Sequence, residues 1–394
     1  MFSRMAREVK PSATIKISTK VKIMRAEGID IIGFGMGEPD FITPDNIREA
    51  AVKAIWDGFT KYTPTSGTME LKEAICEKLQ KENGLKYKPS QIITSCGAKQ
   101  SVCNVILAIC DKGDEVVIPS PYWVSYSEQT IMAGAKPVLV PAMDDSGFKI
   151  TKDDLKHAIT DNTKLLILNS PCNPTGTVYS EAELRELAGY AVEKGIYVIS
   201  DEIYENIVYD GTKHYSPAGF GSEFFDKVIT INGFSKSFAM TGWRLGYAAG
   251  NENVIREAIK LQDHFTGGTS SISQAAGVEA LKGKQDFIKD MVAEFDKRRK
   301  FLVGKLNSIE GISCVMPKGA FYVFPNISGL YNRKIAGKIV NNSDTLVNLL
   351  IDKARIAFVP GDSFGSEHHL RISYATSMEN IVEGMKRLEE TLSM

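Results

Sequence analysis

The stretch VITINGFSKSFAMTGWRLGYAA, from Val228 to Ala249, organises the rest of the chain. An apolar run at Val228–Ile231 predicts a buried strand, and a polar turn of small residues after it carries Lys236. Ser235 directly precedes this lysine, and Arg244 follows in the same stretch, just before a second apolar run. The small or flexible residues Gly233, Ala239 and Gly242 leave room for a large flat ligand to approach the backbone.

A lysine, a hydroxyl and an arginine at this spacing suit one kind of cofactor. A lysine amine in a dry pocket or near other cations becomes a better nucleophile, and it can form a Schiff base with an aldehyde. An arginine can bind a phosphate through two parallel hydrogen bonds. Pyridoxal phosphate is an aldehyde that carries a phosphate, so Lys236, Ser235 and Arg244 predict a site for it.

The segment SKSFAMTGWRLGY resembles the Schiff-base segment of the class I aminotransferases, which are fold-type I pyridoxal-phosphate enzymes. Further stretches match this family in the same order and at similar spacing, so the resemblance covers nearly the whole chain. The sequence KPSAT at Lys10 to Thr14 is similar to a subgroup of bacterial aspartate aminotransferases, the aspartate/prephenate aminotransferases. The resemblance implies that Lys236 holds the cofactor as a Schiff base.

Seven short apolar runs follow residue 91, and helical patterns separate most of them. The predicted strands are Ile92–Thr94, Val116–Ile118, Val138–Val140, Leu165–Leu168, Tyr197–Ile199, Val228–Ile231 and Leu245–Ala248. This alternation predicts an α/β fold whose seven-stranded, mostly parallel sheet is sandwiched by helices. In such a sheet a ligand binds beyond the carboxyl ends of the strands.

The length of 394 residues suggests two domains. A long charged helix at Asp290–Leu306 is predicted to lead into a second α/β unit. Its predicted strands are Ile312–Val315, Phe321–Phe324, Ile356–Val359 and Leu370–Ser373. The resemblance implies a large cofactor-binding domain at residues 46–289, and a small domain that combines the N-terminal arm, residues 1–45, with residues 290–394.

Three predicted loops are expected to contact the cofactor ring. Asp201 ends an apolar strand, where a buried carboxylate needs a cationic partner such as a protonated pyridine nitrogen. The resemblance implies that Asn173, in NSPCNPTG, and Tyr204 both hydrogen-bond to the phenolic oxygen of the cofactor. It also implies that Trp123, in PSPYW, stacks on the ring, although the residues alone fit an aromatic cover over the core equally well.

The cofactor phosphate is expected to bind where a helix begins after the first strand, because small residues there expose free backbone N–H groups. With the residues that the resemblance adds, the expected phosphate ligands are Gly97, Ala98, Lys99, Ser235, Arg244 and Tyr62. The resemblance places Tyr62 in the site of the other subunit of a homodimer; on its own it is typical of a half-buried surface residue. Relatives often have a serine where this chain has Gly233, so we expect a slightly weaker cofactor site.

Arg371 lies inside an apolar strand, and a buried arginine needs an anion, either a structural carboxylate or a ligand. The resemblance implies that Arg371 binds the α-carboxylate of an amino acid. It also implies that the backbone N–H of Gly37 faces this carboxylate, with Trp123 and Asn173 close to the substrate.

The substrate side chain is expected to meet a lysine. Many relatives specific for dicarboxylates bind the distal carboxylate with an arginine from the partner subunit, but this chain has no arginine between Arg256 and Arg298. By resemblance to the KPSAT subgroup, the residues expected to bind the side-chain carboxylate of the substrate are Lys99, Lys10, Ser12 and Thr14. A lysine tolerates more geometries than an arginine, which favours broader acceptance, including prephenate. Alternatively, Lys99 extends into solvent.

The predicted function is amino-group transfer from L-aspartate or glutamate to 2-oxoglutarate or oxaloacetate, with ping-pong kinetics. In this mechanism Lys236, Asp201 and Tyr204 act on the reacting atoms. A lyase or synthase on the same scaffold stays open, because the site motifs do not exclude elimination. A ligand-sensing regulator is disfavoured, since no room is expected for a DNA-binding domain before residue 40. A dehydrogenase is also disfavoured, because no GxGxxG motif follows the first strand.

The composition excludes several other classes. Basic and acidic residues number 47 and 48, so nothing indicates nucleic acid or an anionic membrane. No apolar run approaches the ~20 residues of a membrane span. The six cysteines show no CxxC pair, which favours reduced thiols in the cytoplasm and no metal site. Glu202 and Glu205 are expected to be solvated charges, and His368 and His369 surface residues.

Overall fold

The structure is a computed structural model that describes residues 2–394. Its α-helices, in chain order, are α1 Arg4–Glu8, α2 Ala13–Ala26, α3 Asp45–Trp56, α4 Met69–Asn83, α5 Ala98–Ile109, α6 Ser125–Met132, α7 Lys152–Ala158, α8 Glu181–Glu193, α9 Ser222–Lys227, α10 Glu252–Phe265, α11 Ser271–Lys282, α12 Phe287–Asn307, α13 Ser343–Lys353 and α14 Met378–Leu392. Within residues 2–394, no helix is both long enough and apolar enough to cross a membrane.

The β-strands are shorter than the helices and form four sheets. In chain order they are β1 Ile32–Gly33, β2 Ile92–Ser95, β3 Glu115–Ser120, β4 Lys136–Pro141, β5 Thr163–Asn169, β6 Tyr197–Asp201, β7 Val228–Gly233, β8 Gly246–Ala249, β9 Tyr322–Val323, β10 Lys334–Ile335, β11 Lys338–Ile339, β12 Ile356–Ala357, β13 Val359–Pro360 and β14 Leu370–Ser373.

The central sheet confirms the predicted α/β fold. Its seven strands lie in the order β2-β8-β7-β6-β5-β3-β4, and only β8 runs antiparallel to its neighbours. Alternate residues of each strand face opposite layers of helices. Leu166 and Val198, for example, pack with α3, α4, α8 and α11, whereas Ile167 and Ile199 pack with α5 and α10. Burial on both faces explains why these strands are continuous apolar runs in the sequence.

The helices begin and end where the sequence provides caps. The side chain of Thr68 accepts a hydrogen bond from the backbone N–H of Leu71 at the start of α4, and Gly84 ends this helix with a φ of 73°. Glycine adopts this left-handed conformation without the strain that a side chain brings. Ser377 caps α14 in the same way through the N–H of Asn380.

Apart from the core around the central sheet, a separate hydrophobic cluster joins the N-terminal arm to the C-terminal part of the chain. β1 pairs in parallel with β12, and residues of α2, such as Val21, pack in one cluster with residues of α12, α13 and α14. A three-stranded antiparallel sheet, β13-β14-β9, belongs to the same unit. The predicted strand at Ile312–Val315 was wrong, because only Ser313 of this segment makes a bridge, to Asn326.

Candidate active site

A cavity of about 280 Å³ lies at the carboxyl ends of the central strands, between the central sheet and the unit formed by the N-terminal arm and the C-terminal part of the chain. The segments that follow β2, β3, β5, β6 and β7, including the first turns of α5 and α6, supply most of its wall. The N-terminal arm and strands β9 and β14 supply the rest. Its lining residues include Ser12, Thr14, Gly37, Ala98, Lys99, Trp123, Asn173, Asp201, Tyr204, Ser235, Lys236, Arg244 and Arg371.

Lys236 projects into the cavity from the turn after β7. Its Nζ donates a hydrogen bond to the carbonyl oxygen of Gly37 in the N-terminal arm. Burial lowers the pKa of Lys236 to about 8, with Glu38 acting in the opposite direction and Arg371 reinforcing the shift. A substantial fraction of Lys236 is therefore neutral near pH 8, which a nucleophile or a base requires.

Asp201 ends β6 and is only 3% exposed. One carboxylate oxygen accepts a hydrogen bond from the phenol of Tyr126 at 2.6 Å, and the other accepts one from the backbone N–H of Ile203 at 3.2 Å. Burial raises the pKa of Asp201 to about 6, although both hydrogen bonds lower it. The site therefore contains a carboxylate whose ionised form a cationic ligand would stabilise.

Tyr204 and Asn173 reach the cavity from neighbouring loops. The hydroxyl of Tyr204 lies 2.8 Å from that of Tyr322 in β9. The backbone N–H of Asn173 donates to the Oδ1 of Asn169 at 2.8 Å, and the peptide bond between Asn173 and Pro174 is cis. Gly37 passes close to the same group, because a Cβ there would lie 2.8 Å from the Tyr322 hydroxyl.

Arg371 is almost fully buried in β14, at 1% exposure. Its two terminal nitrogens donate to the Oδ1 of Asn173 at 3.1 Å and to the carbonyl of Gly35 at 2.7 Å, and its Nε has no partner among the described residues. The guanidinium lies between the rings of Tyr322 and Phe364. No carboxylate of residues 2–394 forms an ion pair with it, so this charge is available to an anion in the cavity.

Arg244 and the start of α5 form a cationic corner of the cavity. The guanidinium of Arg244 donates to the carbonyls of Thr241 and Cys96 at 2.8 Å and 3.1 Å. It lies against Gly97, where a Cβ would approach its Cζ to 3.0 Å, so only glycine fits there without displacing it. The first backbone amides of α5, at Ala98, and the buried hydroxyl of Ser235 line the same corner. Such a corner suits a phosphate.

Lys99 lies at the mouth of the cavity, with its Nζ 5.1 Å from the centre of the Trp123 ring. Loss of hydration and the nearby charge of Arg244 lower the pKa of Lys99. Ser12 and Thr14, at the start of α2, line the same cavity.

Two predicted site residues lie elsewhere in this chain. Lys10 does not line the cavity; its side chain is exposed and its backbone N–H donates to Glu128 at 2.7 Å. Tyr62 is fully exposed on the surface and also lies outside the cavity lining. Its predicted role in the partner subunit stays a prediction.

The sequence interpretation missed two phenols in the site and misjudged three buried residues. Tyr126 lies on α6 and Tyr322 inside an apolar strand, and neither position carries a signal that separates it from a core aromatic. Glu202, Glu205 and His369 were predicted to be solvated or on the surface, but all three are buried. All three have hydrogen-bond partners, which compensate the cost of burial.

The fold and the side chains together define a class of protein. The chain belongs to the aminotransferase class I and II family, whose model matches residues 29–388. The matched range includes the central sheet and every predicted site residue except Lys10, Ser12 and Thr14.

Relatives within this family are similar over their full length. A probable aspartate/prephenate aminotransferase of Aquifex aeolicus is 46% identical, with 98% of this chain and 96% of the relative covered. Aspartate aminotransferase of Bacillus subtilis is 44% identical, covering 96% and 95%. Among solved structures, aspartate aminotransferase of Rhizobium meliloti has a TM-score of 0.96 at 41% identity, covering 100% and 99%. That of Thermus thermophilus with maleate has a TM-score of 0.94 at 39% identity, covering both chains completely.

Proposed function

We propose that this chain is a pyridoxal-phosphate-dependent aspartate aminotransferase. It transfers the amino group of L-aspartate or glutamate to 2-oxoglutarate or oxaloacetate. The observation that carries the proposal is Arg371, a buried cation without a carboxylate partner, in a cavity that also contains Lys236 and Asp201. The names of the relatives from Bacillus subtilis and Rhizobium meliloti support the same reaction.

The residues of the cavity fit pyridoxal phosphate. Arg244, Ser235 and the amides at the start of α5 would hold its phosphate, and Asp201 would pair with its ring nitrogen. Trp123 would cover the ring, and Asn173 and Tyr204 would bind its phenolic oxygen. When bound, the cofactor supplies an aldehyde that condenses with amines and a ring that withdraws electrons from the substrate.

The side chains of this chain would then divide the work between positioning and proton transfer. Arg371 binds the α-carboxylate and so places the substrate Cα next to Lys236. The Nζ of Lys236, with its pKa lowered to about 8, removes the proton from Cα and returns one later. Asp201, whose carboxylate accepts a hydrogen bond from the phenol of Tyr126, would favour the protonated form of the cofactor ring nitrogen.

Lys99 is our candidate for the distal carboxylate of the substrate. It lines the cavity together with Ser12 and Thr14, which would provide hydroxyl groups for the same carboxylate. The Thermus thermophilus aspartate aminotransferase was solved with maleate, a dicarboxylate, and this similarity supports an acidic substrate. Lys10 would contribute only if the N-terminal arm moves closer.

We further propose a cytoplasmic homodimer with two domains per chain, residues 46–289 and residues 1–45 with 290–394. The fully exposed Tyr62 and the exposed large apolar side chains of Ile42, Trp56 and Phe265 support a second copy that covers part of the surface. In that arrangement Tyr62 would complete the phosphate site of the partner.

The proposal is tested with single amino acids added to the purified protein loaded with pyridoxal phosphate. Loss of the visible absorption of the cofactor reports amino-group transfer to it. We expect aspartate and glutamate to bleach the cofactor fast and to release the matching keto acids, with leucine and phenylalanine much slower. Release of ammonia and pyruvate, without a paired keto acid, would instead support a lyase.

Prephenate is a second candidate acceptor. The relative in Aquifex aeolicus is named a probable aspartate/prephenate aminotransferase, and prephenate carries two carboxylates that Arg371 and Lys99 could bind. The protein in its aminated form, prepared with glutamate, is mixed with prephenate. Recovery of the original absorption, at a rate comparable to that with 2-oxoglutarate, would establish this activity.

A further inference from the structure

A buried polar cluster lies behind the turn that carries Asp201 and Tyr204. Two residues of this turn, Glu202 and Glu205, do not line the cavity, and their side chains are 1% and 6% exposed. Glu202 accepts hydrogen bonds from Ser200, Ser216 and His214. Glu205 accepts hydrogen bonds from Lys78, Asn83 and Asn232.

Glu205 connects two segments that supply the active site. Its Oε1 accepts a hydrogen bond from the Nδ2 of Asn232 at 2.6 Å. Asn232 lies near the end of β7, and its own Oδ1 accepts from the backbone N–H of Gly233 at 2.7 Å. The turn after β7 carries Lys236, whereas the turn before Glu205 carries Tyr204. One carboxylate therefore joins, from behind, the two loops whose other faces line the cavity.

Helix α4 supplies the opposing charge. The ammonium of Lys78 pairs with Glu205, and the Nδ2 of Asn83 donates to the Oε2 of Glu205 at 2.9 Å. These contacts, with the charge of Lys78 foremost, outweigh burial and lower the pKa of Glu205. Glu202, Glu205 and His214 also have the spacing of metal ligands. However, Lys78 already provides a cation at Glu205, so an ion pair accounts for the cluster without a metal.

We propose that Glu205 is a positioning residue for amino-group transfer. It fixes the loop of Asp201 and Tyr204 relative to the loop of Ser235 and Lys236. The inference rests on the proposed function, because it assigns these two loops to one reaction. A shift of about 1 Å between reacting groups can cost about 100-fold in rate, so a brace between the loops has a measurable effect.

The test compares two isosteric variants, Glu205→Gln and Asp210→Asn. In each variant the replaced carboxylate pairs with a buried cation. That cation also pairs with a second carboxylate, which the substitution leaves in place. Lys78 retains Glu82 at 3.5 Å, and Arg299 retains Asp296. Asp210 lies outside the cavity lining and has a φ of 53°, which asparagine tolerates. Asp210→Asn therefore controls for the loss of one carboxylate partner of a buried cation away from the site.

We expect both variants to lower the melting temperature, but only Glu205→Gln to impair the site. Its rate of cofactor bleaching by aspartate should fall about 10- to 100-fold. The dissociation constant of pyridoxal phosphate, measured by titration of the cofactor-free protein, should rise about tenfold, which corresponds to ~1.4 kcal/mol. In Asp210→Asn both quantities should stay within about twofold of the parent.

Equal kinetics and equal cofactor affinity in the two variants would overturn the proposal. If Glu205→Gln does not fold, Asn232→Ser decides, because it removes the link to β7 and leaves Glu205 paired with Lys78. Parent-like kinetics in Asn232→Ser would also overturn it. Failure of the parent protein to transfer amino groups would instead refute the proposed function, so the two outcomes are separable.

Discussion

Replacement of Arg371 by lysine tests the assignment of the substrate carboxylate. In the structure this guanidinium has bonds to Asn173 and Gly35 and no carboxylate partner in residues 2–394, so the substrate provides its anion. Lysine keeps the charge but cannot form the two parallel hydrogen bonds of an arginine fork. The loss of one hydrogen bond to a charged group costs about 1.5–3 kcal/mol.

This free energy predicts a fall of about 10- to 150-fold in kcat/KM for every amino acid, because ~1.4 kcal/mol corresponds to a factor of ten. The fall should be similar for aspartate and alanine, which share the α-carboxylate. Bleaching of the cofactor by ethylamine, which has no carboxylate, should change by less than about twofold. The same assays apply to Arg299→Lys, a buried arginine of α12 whose partners are Asp210 and Asp296, as a control.

Two results would refute this interpretation of Arg371. If Arg371→Lys lowers the rate with ethylamine as much as the rate with aspartate, the substitution damages the site in general. If kcat/KM for aspartate stays within about threefold of the parent, the α-carboxylate binds elsewhere. The control variant should leave both rates unchanged, since Arg299 does not line the cavity.

The cavity supports three further predictions. Lys99→Ala should lower kcat/KM for aspartate about tenfold more than for alanine, with Lys10→Ala having a smaller effect; equal losses for both substrates would remove Lys99 from the distal site. The cofactor-free protein should lose stability as the pH rises from about 4 to 6, because the pKa of Asp201 is about 6 when folded and 3.8 when unfolded, and the folded state therefore binds the proton more tightly. This contribution is complete below about pH 4 and amounts to about 3 kcal/mol, and urea unfolding of Asp201→Asn should show a weaker dependence on pH over this window. Gly233→Ser should weaken cofactor binding and not strengthen it, because a Cβ at Gly233 would lie 2.9 Å from the Cα of Gly246; tighter binding in a cofactor titration would contradict this.

The central sheet could be predicted because its strands are buried on both faces. Continuous apolar runs such as Leu165–Leu168 need no knowledge of the partner strand. The short strands of the C-terminal unit depend on their neighbours instead. The segment Ile312–Val315 has the composition of a strand, but Val315 is 43% exposed and only Ser313 forms a β-bridge. Its pattern therefore indicated a strand that the tertiary structure does not form.

The polar residues of the site also divide into those that the sequence identifies and those that depend on tertiary contacts. Lys236, Asp201 and Asn173 follow strand ends, and their positions in the sequence already indicated a common edge of the sheet. Tyr126 and Tyr322 could not be found in this way. The phenol of Tyr126 meets Asp201 across 75 positions of the chain, and that of Tyr322 meets Tyr204 across 118. Only the three-dimensional packing brings these hydroxyl groups into the cavity.

The turn after β6 explains why the two glutamates were misjudged. Asp201, Ile203 and Tyr204 of this turn line the cavity, while Glu202 and Glu205 lie behind it. A charged residue just beyond a strand is normally solvated, because loops lie on the surface. Here α4 and the loop at His214 cover the back of the turn and supply cations and donors. The turn therefore directs some side chains into the cavity and buries Glu202 and Glu205 behind it, and the hydrogen bonds of these two glutamates hold the turn in place.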